Sequence, residues 1–228
     1  MTIKICVFDA YGTLFDVGAA ARIAAGEEGS EALAAKAGEL AEFWRQKQLQ
    51  YTWLRAVSGN HTDFWSVTQD GLDWALEKTG LDGDLELRER LLALYWELRA
   101  YKEVPMMLAQ LKAAGLQTAI LSNGAPDMLD GAVGSAGIET YLDAVLSVED
   151  VGVFKPDAQV YQMVLDRFEC TKDEVLFVSS NGWDVAAASG FGFQTVWVNR
   201  VGEPMDRLFA EPQHVLSDLT NIPQLAGS

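Results

Sequence analysis

The feature that most constrains the fold is an alternation in the second half of the chain. Short apolar runs at 116–121, 144–146, 175–178 and 195–198 read as buried strands, and 3–8 adds a fifth at the start. Between them lie helical patterns with start and stop signals: 105–114 closed by Gly115, 126–136 closed by Gly137, and 157–168 following Pro156. Such a sequence predicts an α/β, doubly wound (Rossmann-like) parallel sheet. One stretch breaks the rule. Residues 17–99 hold no convincing strand but several helical patterns, the longest at 31–57 and another at 85–98. The chain is therefore expected to divide into an α/β core of 1–16 and 100–228 and an inserted helical cap of 17–99. An insertion after the first strand covers the carboxyl ends of the strands, where open parallel sheets bind ligands.

Composition excludes several classes of function. With Lys+Arg 17 against Asp+Glu 33, the net charge of -16 repels nucleic acid and anionic lipid, and no basic cluster interrupts it. No run approaches the roughly 20 apolar residues of a membrane span. Cys6 and Cys170 lack CxxC spacing or a nearby His, so they read as reduced thiols of a cytoplasmic protein. An anionic small molecule needs cations placed locally against the long-range field, which salt screens over about 8–10 Å.

The first strand runs into Asp9-Ala10-Tyr11-Gly12-Thr13-Leu14-Phe15, presenting a carboxylate where Gly12 permits a tight turn. The second ends in Ser122-Asn123-Gly124, two polar side chains that can donate to an anion. Lys155-Pro156 supplies a cation before a helix, and the fourth strand ends in Ser179-Ser180-Asn181-Gly182-Trp183-Asp184. Each alone is compatible with an ordinary turn or a solvated side chain. Within the helical stretch, Trp44-Arg45-Gln46-Lys47-Gln48-Leu49-Gln50-Tyr51-Thr52-Trp53 places Arg45, Leu49 and Trp53 on one helix face.

Taken in order from Asp9 to Asp184, these motifs resemble the haloacid dehalogenase superfamily, and within it the L-2-haloacid dehalogenases. Two departures from the superfamily's phosphatases support the narrower match. Tyr11 stands where those enzymes carry a second, acid Asp, and Ser180 stands where they carry a carboxylate that joins the nucleophile in binding Mg²⁺. A phenol is a poor general acid, and Mg²⁺ depends on carboxylates. The resemblance implies hydrolysis of a short 2-halo carboxylate without cofactor or metal. Asp9 would be the nucleophile, Thr13 would orient it, and Arg45 would receive the halide ion with Asn123 and Trp183. The substrate carboxylate would meet Ser122, Lys155 and the N–H groups from Ala10 onward, against apolar walls of Tyr11, Leu49, Phe64 and Trp183. Asp184 would act as base toward the ester, tuned by Lys155, with Ser179 and Asn181 positioning water and Tyr161 bonded to the network. A homodimer is expected by the same resemblance.

Overall fold

The computed structural model describes residues 2–96 and 98–227. The sheet is built from β1 (Ile5–Phe8), β2 (Gln117–Ser122), β3 (Ala144–Ser147), β4 (Val175–Ser179), β5 (Gln194–Val198) and β6 (His214–Leu216). All are parallel, in the order β3-β2-β1-β4-β5-β6. All four β1 residues are fully buried, as a strand covered on both faces requires. The order reverses direction at β1, so β1, β2 and β4 end side by side at the switch point where such sheets bind ligands. β6 has no counterpart among the expected strands. It is an edge strand with His214 and Val215 exposed, so it carries no buried apolar run to betray it.

The strand-free region folds as α1 (Ala19–Ala25), α2 (Glu31–Ala34), α3 (Ala37–Ser58), α4 (Phe64–Thr79) and α5 (Leu85–Trp96). The single helix expected over 31–57 is two. Lys36 leaves helical geometry at φ -127°, and its ammonium donates to the carbonyl of Thr79 at the carboxyl end of α4. A tertiary contact thus overrides a helix-forming sequence. The helix expected over 85–98 ends at Trp96, and Glu97 lies outside the described residues.

α3 packs on α4 through a face that periodicity alone makes look weak, because half of it is polar. Leu40, Trp44, Gln48 and Thr52 are its buried residues. Trp44 Nε1 donates to the Thr68 carbonyl at 2.8 Å, and Gln48 Nε2 donates to Thr68 Oγ1 at 3.0 Å and to Tyr95 Oη at 3.1 Å. Satisfied in this way, buried polar groups fix the register of two helices without an unpaired group. α4 begins where the Asp63 carboxylate accepts from Ser66 N at 2.9 Å, an N-cap that sets Phe64 as its first residue.

The chain leaves and re-enters the sheet layer side by side. Phe15 forms an antiparallel bridge with Ala100, Asp16 N donates to the Arg99 carbonyl at 3.0 Å, and Tyr101 N donates to that of Leu14 at 2.9 Å. From there α6 (Val104–Ala113), α7 (Pro126–Ala136), α8 (Ala158–Phe168), α9 (Gly182–Phe191) and α10 (Ile222–Ala226) flank the sheet. Asp157 caps α8 through a 2.9 Å bond from Gln159 N, directly after the cis Lys155–Pro156 peptide. Cys6 and Cys170 are free, and burial pushes the Cys6 thiol up to about 12.

Candidate active site

Asp9 follows β1, Ser122 closes β2 and Ser179 closes β4, so adjacent parallel strands deliver three motifs to one place. The turn after Asp9 needs its glycine. Gly12 has φ +90°, and a Cβ there would lie 3.1 Å from Ser180 Oγ. The turn's hydrogen bonds are donated by Gly12, Thr13, Leu14 and Phe15. The N–H groups of Ala10 and Tyr11 are not among those donors. Gly124 is needed for a different reason: a Cβ there would come within 2.7 Å of the Tyr11 ring.

Three donors hold the Asp9 carboxylate. Thr13 Oγ1 donates to Oδ2 at 2.9 Å, Asn181 Nδ2 donates to Oδ2 at 3.0 Å, and Lys155 Nζ reaches Oδ1 at 3.1 Å. Thr13 Oγ1 in turn accepts from Ser180 N at 2.8 Å, which fixes the hydroxyl's aim. Ser180 Oγ, at the position where the phosphatases have their metal-binding carboxylate, lies 3.2 Å from Thr13 Oγ1. Ser179 Oγ accepts from Asn181 N at 3.1 Å and holds the loop that carries the Asn181 amide.

Behind Asp9 lies a second, deeper carboxylate. Asp184 is fully buried, with Lys155 Nζ at 2.8 Å from Oδ2 and Tyr161 Oη donating to Oδ1 at 2.7 Å. Burial raises the Asp184 pKa from 3.8, Lys155 opposes the rise, and the negative charge of Asp9 adds to it. Burial alone would lower the Lys155 pKa, but the Asp184 and Asp9 carboxylates outweigh it and raise it above 10.5. Tyr161 is held well above 10.0 by burial and by Asp184, so it remains a donor.

Arg45, from α3, reaches over this cluster. Its Nη2 donates to Asn181 Oδ1 at 3.1 Å, and that amide's nitrogen bonds Asp9. Arg45, Leu49, Phe64 and Tyr11 join Asp9, Ser122, Asn123, Asn181 and Trp183 around a cavity of about 10 Å³. Asn123 accepts from Lys155 N at 2.9 Å through Oδ1, which turns its amide nitrogen the other way. Two polar atoms of the lining, Trp183 Nε1 and Tyr11 Oη, are buried without a hydrogen-bond partner. A buried N–H left unpaired costs about 1–3 kcal/mol, and a ligand anion is a ready acceptor. Burial holds the Tyr11 phenol well above 10.0, with Tyr95 and Asp9 adding to the rise. Trp53, one turn beyond Leu49, meets the Trp183 ring edge-on at 5.4 Å.

The structure thus brings the motif residues together around one carboxylate. Lys155 lies 1% exposed behind the cavity lining, its ammonium already facing two carboxylates, whereas a place against the substrate carboxylate was expected. Ser122 and Asn123 line the cavity directly. Some residues escaped sequence reasoning. Tyr95 stacks on Tyr11 at 5.7 Å and bonds Gln48, a partnership across the insertion that no motif signals. His61, from the loop before α4, pairs with Glu149 of the core at 3.0 Å and lies 4.6 Å from the Phe154 ring beside the site. Arg200, beyond β5, donates to the Thr13 carbonyl and pairs with Glu103.

Comparison with known proteins agrees with this geometry. A haloacid dehalogenase-like hydrolase family model matches residues 3–192. The chain is 46% identical over 223 residues to (S)-2-haloacid dehalogenase 1 of Pseudomonas sp. (strain CBS-3), covering 98% of this chain and 96% of that protein. It is 42% identical over 226 residues to (S)-2-haloacid dehalogenase 4A of Burkholderia cepacia, covering 99% and 96%. The solved L-2-haloacid dehalogenase of Xanthobacter autotrophicus with chloropropionic acid covalently bound superposes with a TM-score of 0.88 at 38% identity, covering 98% of both chains. With the motif loops after β1, β2 and β4 all inside the matched residues, the chain belongs to the haloacid dehalogenase-like hydrolase family.

Proposed function

We propose that this protein hydrolyses short L-2-haloalkanoic acids to D-2-hydroxy acids and halide through an ester on Asp9, without a metal. The observation that carries the reading is that Asp9 and Arg45 line the same cavity, linked through the Asn181 amide. A nucleophilic carboxylate and a leaving-group cation are thereby fixed relative to each other, the main demand of an in-line displacement. Oδ2 of Asp9 already accepts two hydrogen bonds and Oδ1 accepts one, which leaves Oδ1 a lone pair for attack. Its bond to carbon 2 forms as the carbon–halogen pair departs to Arg45, Asn123 and the Trp183 N–H. Ser122 and the Ala10 and Tyr11 N–H groups take the substrate carboxylate, and Lys155 offsets the combined charge from behind.

Water then attacks the Asp9 carbonyl carbon and gives a proton to Asp184. As the carbonyl re-forms, the bond to the alkoxide oxygen breaks and that oxygen takes the proton back from Asp184, while the second water proton is lost to solvent and leaves Asp9 a carboxylate. A raised pKa makes Asp184 a stronger base than an ordinary carboxylate. Asn181, Ser179 and Tyr161 hold the water and the base in place. The donor set opposes a magnesium site: Lys155 and Tyr161 engage both Asp184 oxygens, and a hydroxyl replaces the second carboxylate at Ser180. Residues 17–99 act as the cap and 1–16 with 100–228 as the core in this reading. A cytoplasmic homodimer goes with it, supported by the resemblance, by two free cysteines, and by Leu54 and Val57 exposed on α3.

One experiment tests the chemistry. A single turnover of chelator-treated enzyme with L-2-chloropropionate in heavy-oxygen water should label Asp9, give unlabelled D-lactate and release chloride. Label appearing first in lactate, L-lactate as product, or activity that returns only with Mg²⁺ would each defeat the reading.

A further inference from the structure

The active-site cavity, at about 10 Å³, has room for about one water and must widen to take a substrate. The ester must stay in place while the halide leaves and the hydrolytic water arrives. The walls around Asp9 are large: Tyr11, Leu49, Phe64 and Trp183. Behind Arg45 the packing changes. Arg45 also lines a second cavity, of about 30 Å³, with the small residues Gly18, Ala21 and Ala41 facing the larger Trp44, Gln48 and Tyr95. That volume holds about one small ion or water. Arg45 is therefore the partition between the two spaces.

Gly18, in the wall of this second cavity, is covered by Arg22. Gly18 has no Cβ, and the Arg22 guanidinium lies where one would be, with Nη1 2.6 Å from that position. Arg22 is 62% exposed and pairs with Asp16, whose Oδ1 also accepts from Gly18 N at 3.1 Å. Beyond Arg22 opens a surface cleft of about 560 Å³ where Arg22, Arg99, Lys102 and Arg200 stand among the carboxylates of Asp16, Glu103 and Asp218. In a chain of net charge -16, a departing anion would meet Arg45, then the Arg22–Asp16 pair, then Arg99 and Lys102 in the cleft.

We propose that halide leaves, and water enters, through this passage behind Arg45, with the Arg22–Asp16 pair as its outer plug. The inference rests on the dehalogenase reading and adds a route to it. A route on the side of Arg45 away from Asp9 would let halide depart while the ester is intact. Small residues at Ala21 and Ala41 keep the passage open, and Gly18 lets the plug lie flat against its mouth.

The test is bromide binding to the free enzyme, followed by rapid-mixing tryptophan fluorescence because Trp183 lines the halide end. Ala41→Leu fills the inner cavity and should slow both association and dissociation of bromide about tenfold, the effect of about 1.4 kcal/mol on a barrier. Arg22→Ser removes the plug and should speed both. Neither change should alter the equilibrium constant, since a passage affects rates and a binding site affects affinity. Rates unchanged in both variants, or a changed affinity at constant association rate, would overturn the route. Should Ala41→Leu fail to fold, Arg22→Ser, at an exposed position, still decides the matter. Release of chloride from L-2-chloropropionate by the unmodified enzyme is measured alongside. Its absence would sink the dehalogenase reading, whereas its presence with unchanged bromide kinetics would sink only the passage.

Discussion

Arg200 Nη2 donates a 3.0 Å hydrogen bond to the backbone carbonyl of Thr13, the residue whose hydroxyl holds the Asp9 carboxylate. The same guanidinium pairs with Glu103 at 2.7 Å and lies 3.6 Å over the Tyr101 ring, in the segment where the chain returns from the helical insertion. Arg200 thus ties the nucleophile's loop to the segment that leads into α6.

Replacing it with Lys should lower kcat about tenfold and leave KM nearly unchanged. An ammonium keeps the charge toward Glu103 but cannot serve Glu103 and the Thr13 carbonyl at once with a planar fork. One lost hydrogen bond of about 1–1.5 kcal/mol sets that scale. Steady-state kinetics of Arg200→Lys provides the measurement. An equal rise in KM with kcat intact would place the effect in substrate binding instead.

Lys155 faces two buried carboxylates, so its removal should cost more in stability than any surface ion pair. Breaking a buried pair by deleting one partner costs about 3–5 kcal/mol, and Lys155→Met should show a loss of this order in urea unfolding at pH 7. The pH dependence has a definite sign. The folded-state pKa of Lys155 is raised, so its stabilisation is fully present below 10.5 and fades only as pH climbs through the higher folded value. Asp184, also raised, binds its proton more tightly folded than unfolded, so its ionisation costs stability as pH rises from 3.8. The deficit of Lys155→Met should therefore shrink on acidification, as the stranded carboxylate takes up a proton. A deficit that is constant from pH 7 down to the acid limit of folding would contradict this account.

Tyr161 should set the acid limb of the pH–rate profile. Its hydroxyl donates to Asp184 and so favours the ionised carboxylate. With burial already raising the Asp184 pKa, Tyr161→Phe should raise it further, moving the acid limb of kcat to higher pH while alkaline activity is retained. Neither Lys155 nor Tyr161 should produce a basic limb below about pH 10, since both are raised above their ordinary values. An acid limb that stays fixed in Tyr161→Phe would remove Asp184 as its source.

Much of the layout was legible in the chain because strand-end motifs are local. Asp9, Ser122 and Ser179 each follow or close an apolar run, and parallel pairing of those runs brings them together. The helix over 126–136 is found where its proline and glycine signals put it. What could not be read depends on contacts distant in sequence. Lys36 breaks a helix through a bond to Thr79, Gln48 and Trp44 make a buried helix face polar, and Arg200 reaches Thr13 across 187 positions. The placement of Lys155 behind Asp9 is of the same kind, since the sequence shows a cation near the site but not which side of the carboxylate it occupies.

Arg45 should tolerate Lys poorly, although the charge is kept. Its Nη2 bonds Asn181 Oδ1 at 3.1 Å and reaches the Tyr11 carbonyl at 3.4 Å, so the guanidinium plane is held by the loop after β4 and the loop after β1 together. The guanidinium keeps further N–H donors for an ion in the cavity that Arg45 lines. A Lys has a shorter reach and no plane, and it would satisfy either Asn181 or the leaving ion. Loss of one preorganised contact to charge that develops in the transition state costs about 3–4 kcal/mol, or roughly a hundred- to thousand-fold in rate. The loss should fall on ester formation, which mass spectrometry of the Asp9 peptide measures in a single turnover, and should leave hydrolysis of a preformed ester nearly unchanged. Equal slowing of both steps would mean that Arg45 acts through the Asn181 amide on Asp9 and not on the halide.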